Sequence, residues 1–305
     1  MIRQAAFENA TKMLKGGLHC HTTRSDGHGT PEEVMRLHKA NCYDFLAITD
    51  HCNYNYTNYA PETGITIIPA MEIDINMPSP GNHCHHIVCI GPTKEDGNGF
   101  EQDQRFDSVD IEDPYEAQPI LDIIHKENNM TLYCHPEWSG VSARDFENLQ
   151  GNFAMEIWNS GCAIENDMDT NAAYWDELLI QGKKIYGVAT DDGHAMDQHC
   201  VGWVRVNAEN NINSILEALK IGAFYSSCGP EIYDFYIEDG VAHIRCSEVV
   251  EIKMCNFRVP YNLITNPDNT PLTGAECKLR EGTGYVRAVI KDAQGRRAWT
   301  NPIFF

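Results

Sequence analysis

Apolar residues in this chain fall into short runs separated by amphipathic segments with helix punctuation. The runs "GLHCH", "DFLAIT", "ITIIPAME", "HIVCIG", "MTLYCH", "FAMEIW", "KIYGVAT" and "GWVRV" have strand length and β-favouring residues, so each predicts a strand. Four intervening segments predict helices. "TPEEVMRLHKA" offers Thr30 as N-cap, Pro31 at the first helical position and Glu33 to complete a capping box. "DPYEAQPILDIIHKENN" repeats the device with Asp113, Pro114 and Glu116. "TNAAYWDELLIQGKK" and "NINSILEALKIG" close at Gly182 and Gly222, as helix C-termini do. Strands alternating with helices argue for an α/β fold built on a parallel sheet or barrel. Residues 92–112 are polar and rich in Gly and Asp and predict a surface loop.

Near residue 229 the period changes to strict alternation. "YDFYIEDGVAHIRC" predicts a hairpin about Asp239-Gly240, and "EIKMCNF" and "GYVRAVIKDAQGRRAWTNPIFF" predict further strands. No helix signal follows. The expected division is therefore a larger α/β unit over residues 1–228 and a small β-sandwich-like domain over residues 229–305.

At 305 residues, 42% hydrophobic and 22% charged, the chain can bury a large core in one or two domains. No apolar run approaches the roughly 20 residues needed to span a bilayer. The N-terminal stretch "MIRQAAFENATKMLKGG" has no apolar signal-peptide region, so the expected compartment is cytoplasmic, with no membrane partner. Twelve cysteines occur with no C-x-x-C pair, and they read as reduced, buried small hydrophobes. Cys20 lies between His19 and His21 on a strand, so it faces away from both. A formal net charge of −21 disfavours long nucleic acid as a partner, although bound cations would make one pocket locally positive.

The chemistry lies at the strand ends. "LHCH" supplies His19 and His21, "AITDH" supplies Asp50 and His51, and "AMEID" supplies Glu72. "NHCHHIV" opens a strand with His83, His85 and His86; "LYCHP" supplies His135; "VATDDGH" supplies Asp191, Asp192 and His194. Residues just past the C-terminal ends of parallel strands converge on one face. His19 and His21, at i and i+2, leave the same side of a strand about 6.5–7 Å apart and can grip one ion. One strand-end histidine is more often hydrogen-bonded than ligating, but strand after strand interleaved with carboxylates is the pattern of a metal site. His38 and His125 on helices, and His28 and His243 on turns or in the β region, read as structural, and His199 leans the same way.

The motifs "HCHTTRSDG", "LAITDH", "AMEID", "CHP" and "DDGH" resemble, in order, the signatures of the PHP (polymerase and histidinol phosphatase) superfamily over roughly residues 15–228. The resemblance implies a distorted (β/α)7 barrel that binds two or three divalent Mn, Fe or Zn ions and mostly hydrolyses phosphoesters. Carried over motif by motif, His19, His21, Glu72 and Asp192 would hold one ion. Glu72 would bridge to a second held by His135 and one of His83, His85 and His86, with His86 favoured. Asp26, His51 and His194 would hold a third. Asp50 would orient His51, and whether Asp191 ligates stays open. Glu72, Asp192 and His194 form the implied catalytic set. The ending "FYSSCGPEI" with "YVRAVIKDAQGRRAWTNPIFF" resembles a branch that includes carbaryl hydrolase, whose substrate is a carbamate ester.

The expectation is a phosphoesterase acting on a small phosphorylated substrate, a nucleotide or sugar phosphate or a short oligonucleotide, through metal-activated hydroxide. Arg24 of "TTRSDG" is a candidate phosphate contact, and no G-x-S-x-G nucleophile motif occurs. One alternative is a carbamate or carboxylic ester hydrolase, for which Tyr54, Tyr56 and Tyr59 offer stacking surfaces. The other is a non-catalytic metal-binding module. The oligomeric state is open.

Overall fold

The computed structural model describes residues 3–7, 13–78, 83–256, 260–268, 270–280, 282 and 284–305. Its strands form a six-stranded, a ten-stranded and a four-stranded sheet. The helix Pro31–Ala40 starts where the capping box places it, with Thr30 and Glu33 satisfying each other's backbone N–H. The segment opened by Asp113 begins instead as a 3-10 turn, Pro114–Ala117, before the helix Gln118–Lys126. Pro119 lacks the N–H that an α-helical first turn would use. Helices Ala172–Ile180 and Ile212–Lys220 end before Gly182 and Gly222, whose φ values are +82° and +75°. The expected loop at 92–112 carries a one-turn helix, Lys94–Gly97, and a short strand, Val109–Asp110.

The mixed α/β fold is present, but the described residues form no closed (β/α)7 barrel. The run expected as one strand, "ITIIPAME", is broken at Pro69 into Thr66–Ile68 and Ala70–Asn76, which belong to different sheets. Proline cannot donate to a ladder, so the chain changes partner there. Strand Cys84–Ile90 then runs antiparallel to both neighbours, Ala70–Asn76 and Met130–Tyr133. Too few residues separate Asn76 from Cys84 for the crossover that parallel strands need. Among the described residues, isolated bridges Cys20–Gly193 and His51–Glu72 join the sheet edges where a barrel would have continuous ladders. The sheets still share one core: Leu14, Leu18 and Phe45 from one pack with Val88, Leu132, Ala154 and Val188 from the other.

Residues 229–305 are all strand and turn where described. The hairpin Ile232–Glu238 and Val241–Val249 turns at Asp239-Gly240, both at positive φ as a two-residue primed turn demands. Strands on both sides of residue 228 share the ten-stranded sheet, since Phe224–Ser227 pairs with Arg297–Thr300. The N-terminal strand Arg3–Ala5 pairs with Ile232–Glu238 in the four-stranded sheet. A buried two-pronged ion pair links the regions: Arg287 donates to Asp176 through Nη2 at 2.7 and 2.8 Å and through Nε at 3.1 Å. All twelve cysteines are free, and all but Cys42 and Cys200 are buried. Among the described residues, no helix is long and apolar enough to cross a membrane.

Candidate metal centre

The ends of the parallel strands bring the ligating residues together. His19 and His21 follow strand Leu14–Gly17, His51 follows Phe45–Ala47, His135 follows Met130–Tyr133 and Asp192 follows Tyr186–Thr190. His86 joins them because its strand is antiparallel, which puts its beginning at the end where the others finish; it pairs with Asp74 across the ladder. His85, one residue earlier, points to the opposite face and meets the Tyr133 hydroxyl at 2.6 Å. Backbone bonds from Asp192 N to His19 O and from His21 N to Gly193 O lock "LHCH" against "DDGH".

Four acceptor-bearing groups converge at the centre. His19 Nε2 lies 3.2 Å from His21 Nε2, 3.3 Å from Glu72 Oε2 and 3.2 Å from Asp192 Oδ1. His21 Nε2 lies 3.1 Å from both carboxylate oxygens. His19 Nδ1 sits 2.6 Å from Glu156 Oε1, a carboxylate oxygen that only accepts, so Nδ1 carries a proton and Nε2 is the nitrogen left to a ligand. Glu72 spans two groups of histidines, its Oε1 lying 3.2 Å from His86 Nδ1 and 3.4 Å from His135 Nε2. At the rim, Asp26 Oδ2 lies 3.4 Å from His194 Nε2 and 3.6 Å from His51 Nε2. His194 Nδ1 donates to the Asp192 carbonyl and His51 Nδ1 to Asp74, so each Nε2 is turned to Asp26, and on loss of its proton it offers a lone pair there.

These groups perturb one another strongly. Burial would raise Glu72, but the His19 and His86 rings override it and hold the carboxyl well below the usual carboxylate range. Asp192 follows the same balance, burial opposed by His19 and His21. Burial would lower His51, yet Asp26 and Asp74 raise it to about 11. His86 rises to about 10 against burial, chiefly through Glu72. Buried Glu72 Oε2 accepts no hydrogen bond from the protein. Imidazole and carboxylate donors converging at these distances, with protons that a cation can displace, fit divalent cations. His19, His21, Glu72 and Asp192 form one candidate cation cluster, and His21, Asp26, His51 and His194 form another. Glu72, His86 and His135 supply a third set of donors.

Residues that the sequence did not signal hold this arrangement. Buried Glu156 accepts from His19, from Thr190 Oγ1 at 2.7 Å, from the His135 backbone at 2.9 Å and from Asn159 at 2.8 Å. A glutamate inside the apolar run "FAMEIW" was the available clue. Asp74, not Asp50, orients His51. Asp50 instead accepts from Thr22 N and from the hydroxyls of Thr22 and Ser25, fixing the loop that carries Asp26. Gly27 lets that loop fold back, since a Cβ there would sit 2.5 Å from the His21 carbonyl carbon. His135 and Asp192 hold φ values of +23° and +48°, backbone strain of the kind that collects at functional sites.

A cavity of about 330 Å³ opens over the centre, lined in part by Asp26, Glu72, His86, Trp138, Cys162 and His194. Trp138 packs on His135 and His86, with ring centroids 5.1 and 5.7 Å apart. Among the described residues, no lysine or arginine lines the cavity. Arg24 is paired with Asp103 and lies over Tyr59. Tyr54 is buried in the core against Asn129, and the cavity's aromatic wall is Trp138 instead of the tyrosines of that loop. Asp191 is engaged by three backbone N–H groups, those of Cys200, Val201 and Gly202.

A family model described as PHP domain matches residues 17–179. No curated protein matches the chain. Among solved structures, a two-domain protein from Bacteroides vulgatus, described as containing a predicted PHP-like metal-dependent phosphoesterase, is similar over 98% of both chains at 16% identity, with a TM-score of 0.51. An amidohydrolase from Chromobacterium violaceum with sulfate bound and no metal aligns over 59% of this chain and 88% of its own at 18% identity, with a TM-score of 0.42. A protein from Bifidobacterium adolescentis described as a metal-dependent phosphoesterase aligns over 68% and 96% at 12% identity, with a TM-score of 0.44.

Proposed function

The chain belongs to the PHP domain family, as a metal-dependent hydrolase, and from that premise we propose that it hydrolyses a phosphate ester of a small molecule. The observation that carries the reading is the convergence of His19, His21, Glu72 and Asp192, with imidazole nitrogens and carboxylate oxygens 3.1–3.3 Å apart. His19, His21, Glu72 and Asp192 would hold one ion, and Glu72, His86 and His135 a second. Asp26, His51 and His194 would hold a third. When bound, divalent Mn, Fe or Zn lowers the pKa of water and neutralises charge developing on the reacting oxygens.

The chain's own residues supply order and shape. Glu156 fixes the His19 tautomer and Asp74 that of His51, so each ring offers Nε2. Glu72 ties the two inner sets through its separate oxygens. Asp26 and His194 form the partly exposed rim, with side-chain exposures of 55% and 32%, where a substrate enters. Trp138 walls the opposite side and limits the volume to a small molecule, which with the net charge of −21 argues against polymeric nucleic acid. A cytoplasmic setting fits the same reading.

One observation favours a second reading. Among the described residues no lysine or arginine lines the cavity, which leaves positive charge for a phosphate to bound cations and favours a carbamate or carboxylic ester beside Trp138. A hydrolysis panel with Mn, setting phosphomonoesters and phosphodiesters beside carbamate and carboxylic esters, separates the two. Phosphate release by the wild type and not by Asp192→Asn is expected. Turnover confined to carbon esters would transfer the assignment to the second reading, and no turnover of any ester would favour a binding module.

A further inference from the structure

A second cluster of ligand-type side chains lies outside the residues that line the cavity. It comprises His38 on the helix Pro31–Ala40, Asp191 at the end of strand Tyr186–Thr190, and His199 in the turn before Trp203–Val206. Their exposures are 0%, 1% and 5%. His38 Nδ1 lies 2.8 Å from the Val34 carbonyl, which only accepts, so Nδ1 carries the proton and Nε2 of the neutral ring is a lone pair. That Nε2 faces Asp191 Oδ2 at 3.6 Å, beyond hydrogen-bonding distance, and has no other partner. Asp191 Oδ2 accepts only from the Cys200 backbone, at 2.6 Å, while Oδ1 takes the N–H groups of Val201 and Gly202, so the carboxylate is clamped with a lone pair to spare. His199 packs edge-on to His38 at 5.4 Å between ring centroids, and neither of its buried ring nitrogens has a hydrogen-bond partner. One ligand atom from each of the three residues lies within 4.8 Å of the others.

A neutral imidazole lone pair facing a carboxylate lone pair is an electrostatic conflict that a proton, a water or a cation must resolve. We propose that His38, Asp191 and His199 form a separate, buried binding site for a divalent cation of the zinc class. Two ligand atoms 3.6 Å apart, each about 2.1 Å from a shared ion, subtend about 118°, close to tetrahedral. The Nδ1–H bond to a backbone carbonyl is the arrangement that orients ligating histidines elsewhere. Two neutral rings and one carboxylate make a donor set suited to zinc. An ion here ties the first helix to the segment between Asp191 and His199. That segment includes Asp192 and His194, so the site braces one wall of the hydrolytic centre without touching its cavity.

The test uses the full chain with ZnCl2 alone as probe. Crystals of the wild type are measured above and below the zinc absorption edge. An anomalous peak at bonding distance from His38 Nε2, Asp191 Oδ2 and one nitrogen of His199 is expected, distinct from any peak over the main cavity. After dialysis, His38→Gln and His199→Gln are each expected to retain one zinc equivalent fewer than the wild type. Density between His38 and Asp191 without anomalous signal, or none, would overturn the proposal, as would unchanged stoichiometry in both folded variants. The diffraction result decides even if a variant fails to fold.

Discussion

Replacing Glu156 with Gln isolates the carboxylate beneath the metal centre. Its four donors are all fixed: His19 Nδ1 and Thr190 on Oε1, and the His135 backbone and Asn159 on Oε2. A glutamine must turn its NH2 toward one of these pairs. If the NH2 replaces Oε1, the Thr190 hydroxyl can rotate to accept, but His19 must then bare Nδ1 and protonate Nε2, which removes it as a ligand. If the NH2 replaces Oε2, the His135 N–H is left buried and unpaired, which costs about 1–3 kcal/mol. Loss of such an orienting partner typically lowers metal affinity or activity about 10–100-fold, or about 1.4–2.8 kcal/mol. Competition against a chromophoric chelator measures the affinity, and thermal melting separates it from unfolding. A folded Glu156→Gln with undiminished Mn affinity, turnover and thermal stability would refute the claim that the Glu156 carboxylate holds His19 and the His135 N–H together.

His19→Ala and Asp192→Asn should each reduce bound metal and abolish ester turnover with the chain still folded, as metal analysis and circular dichroism would show; full metal content in both would break the ligand assignment. The metal-free centre holds protons at neutral pH because carboxylates raise His51 to about 11 and His86 to about 10 against burial. Ions must displace those protons, so loading should release protons and apparent affinity should climb with pH. Calorimetric titration with Mn in two buffers of different ionisation enthalpy reads this, and heats independent of buffer would contradict it. Arg287→Met should destabilise the fold by about 3–5 kcal/mol in denaturant, because Asp176 would be left buried without its cation. The double variant Arg287→Met, Asp176→Leu should recover most of that loss, and a single variant as stable as the wild type would count against the linkage.

Local signals in the sequence were read well where one element decides the outcome. The capping box at Thr30 and the primed turn at Asp239-Gly240 depend on neighbouring residues alone. The strand-end residues also proved to lie together, because a parallel strand's direction fixes which end its last side chains occupy. The failures share a non-local cause. Whether Pro69 ends a strand or moves the chain to another sheet depends on partners far away, so barrel closure could not be read from the run "ITIIPAME". Asp50 and Asp74 flank His51 and Glu72 in equivalent-looking motifs, and only the bridge between those two residues makes Asp74 the partner of His51. Glu156 carries no sequence signal of its role, because one acidic residue in an apolar run has no period to mark it. His38 and His199 taken singly carry only a structural signal, and their pairing with Asp191 exists only in three dimensions.

The central claim is that the convergent His, Asp and Glu side chains are a catalytic metal centre. It is tested most directly by stripping the wild type with a chelator and adding Mn back in measured equivalents while following hydrolysis of the ester that the panel identifies. The stripped protein should show no turnover, activity should rise in step with bound Mn, and Asp192→Asn should not recover. Undiminished hydrolysis by the stripped wild type would contradict it.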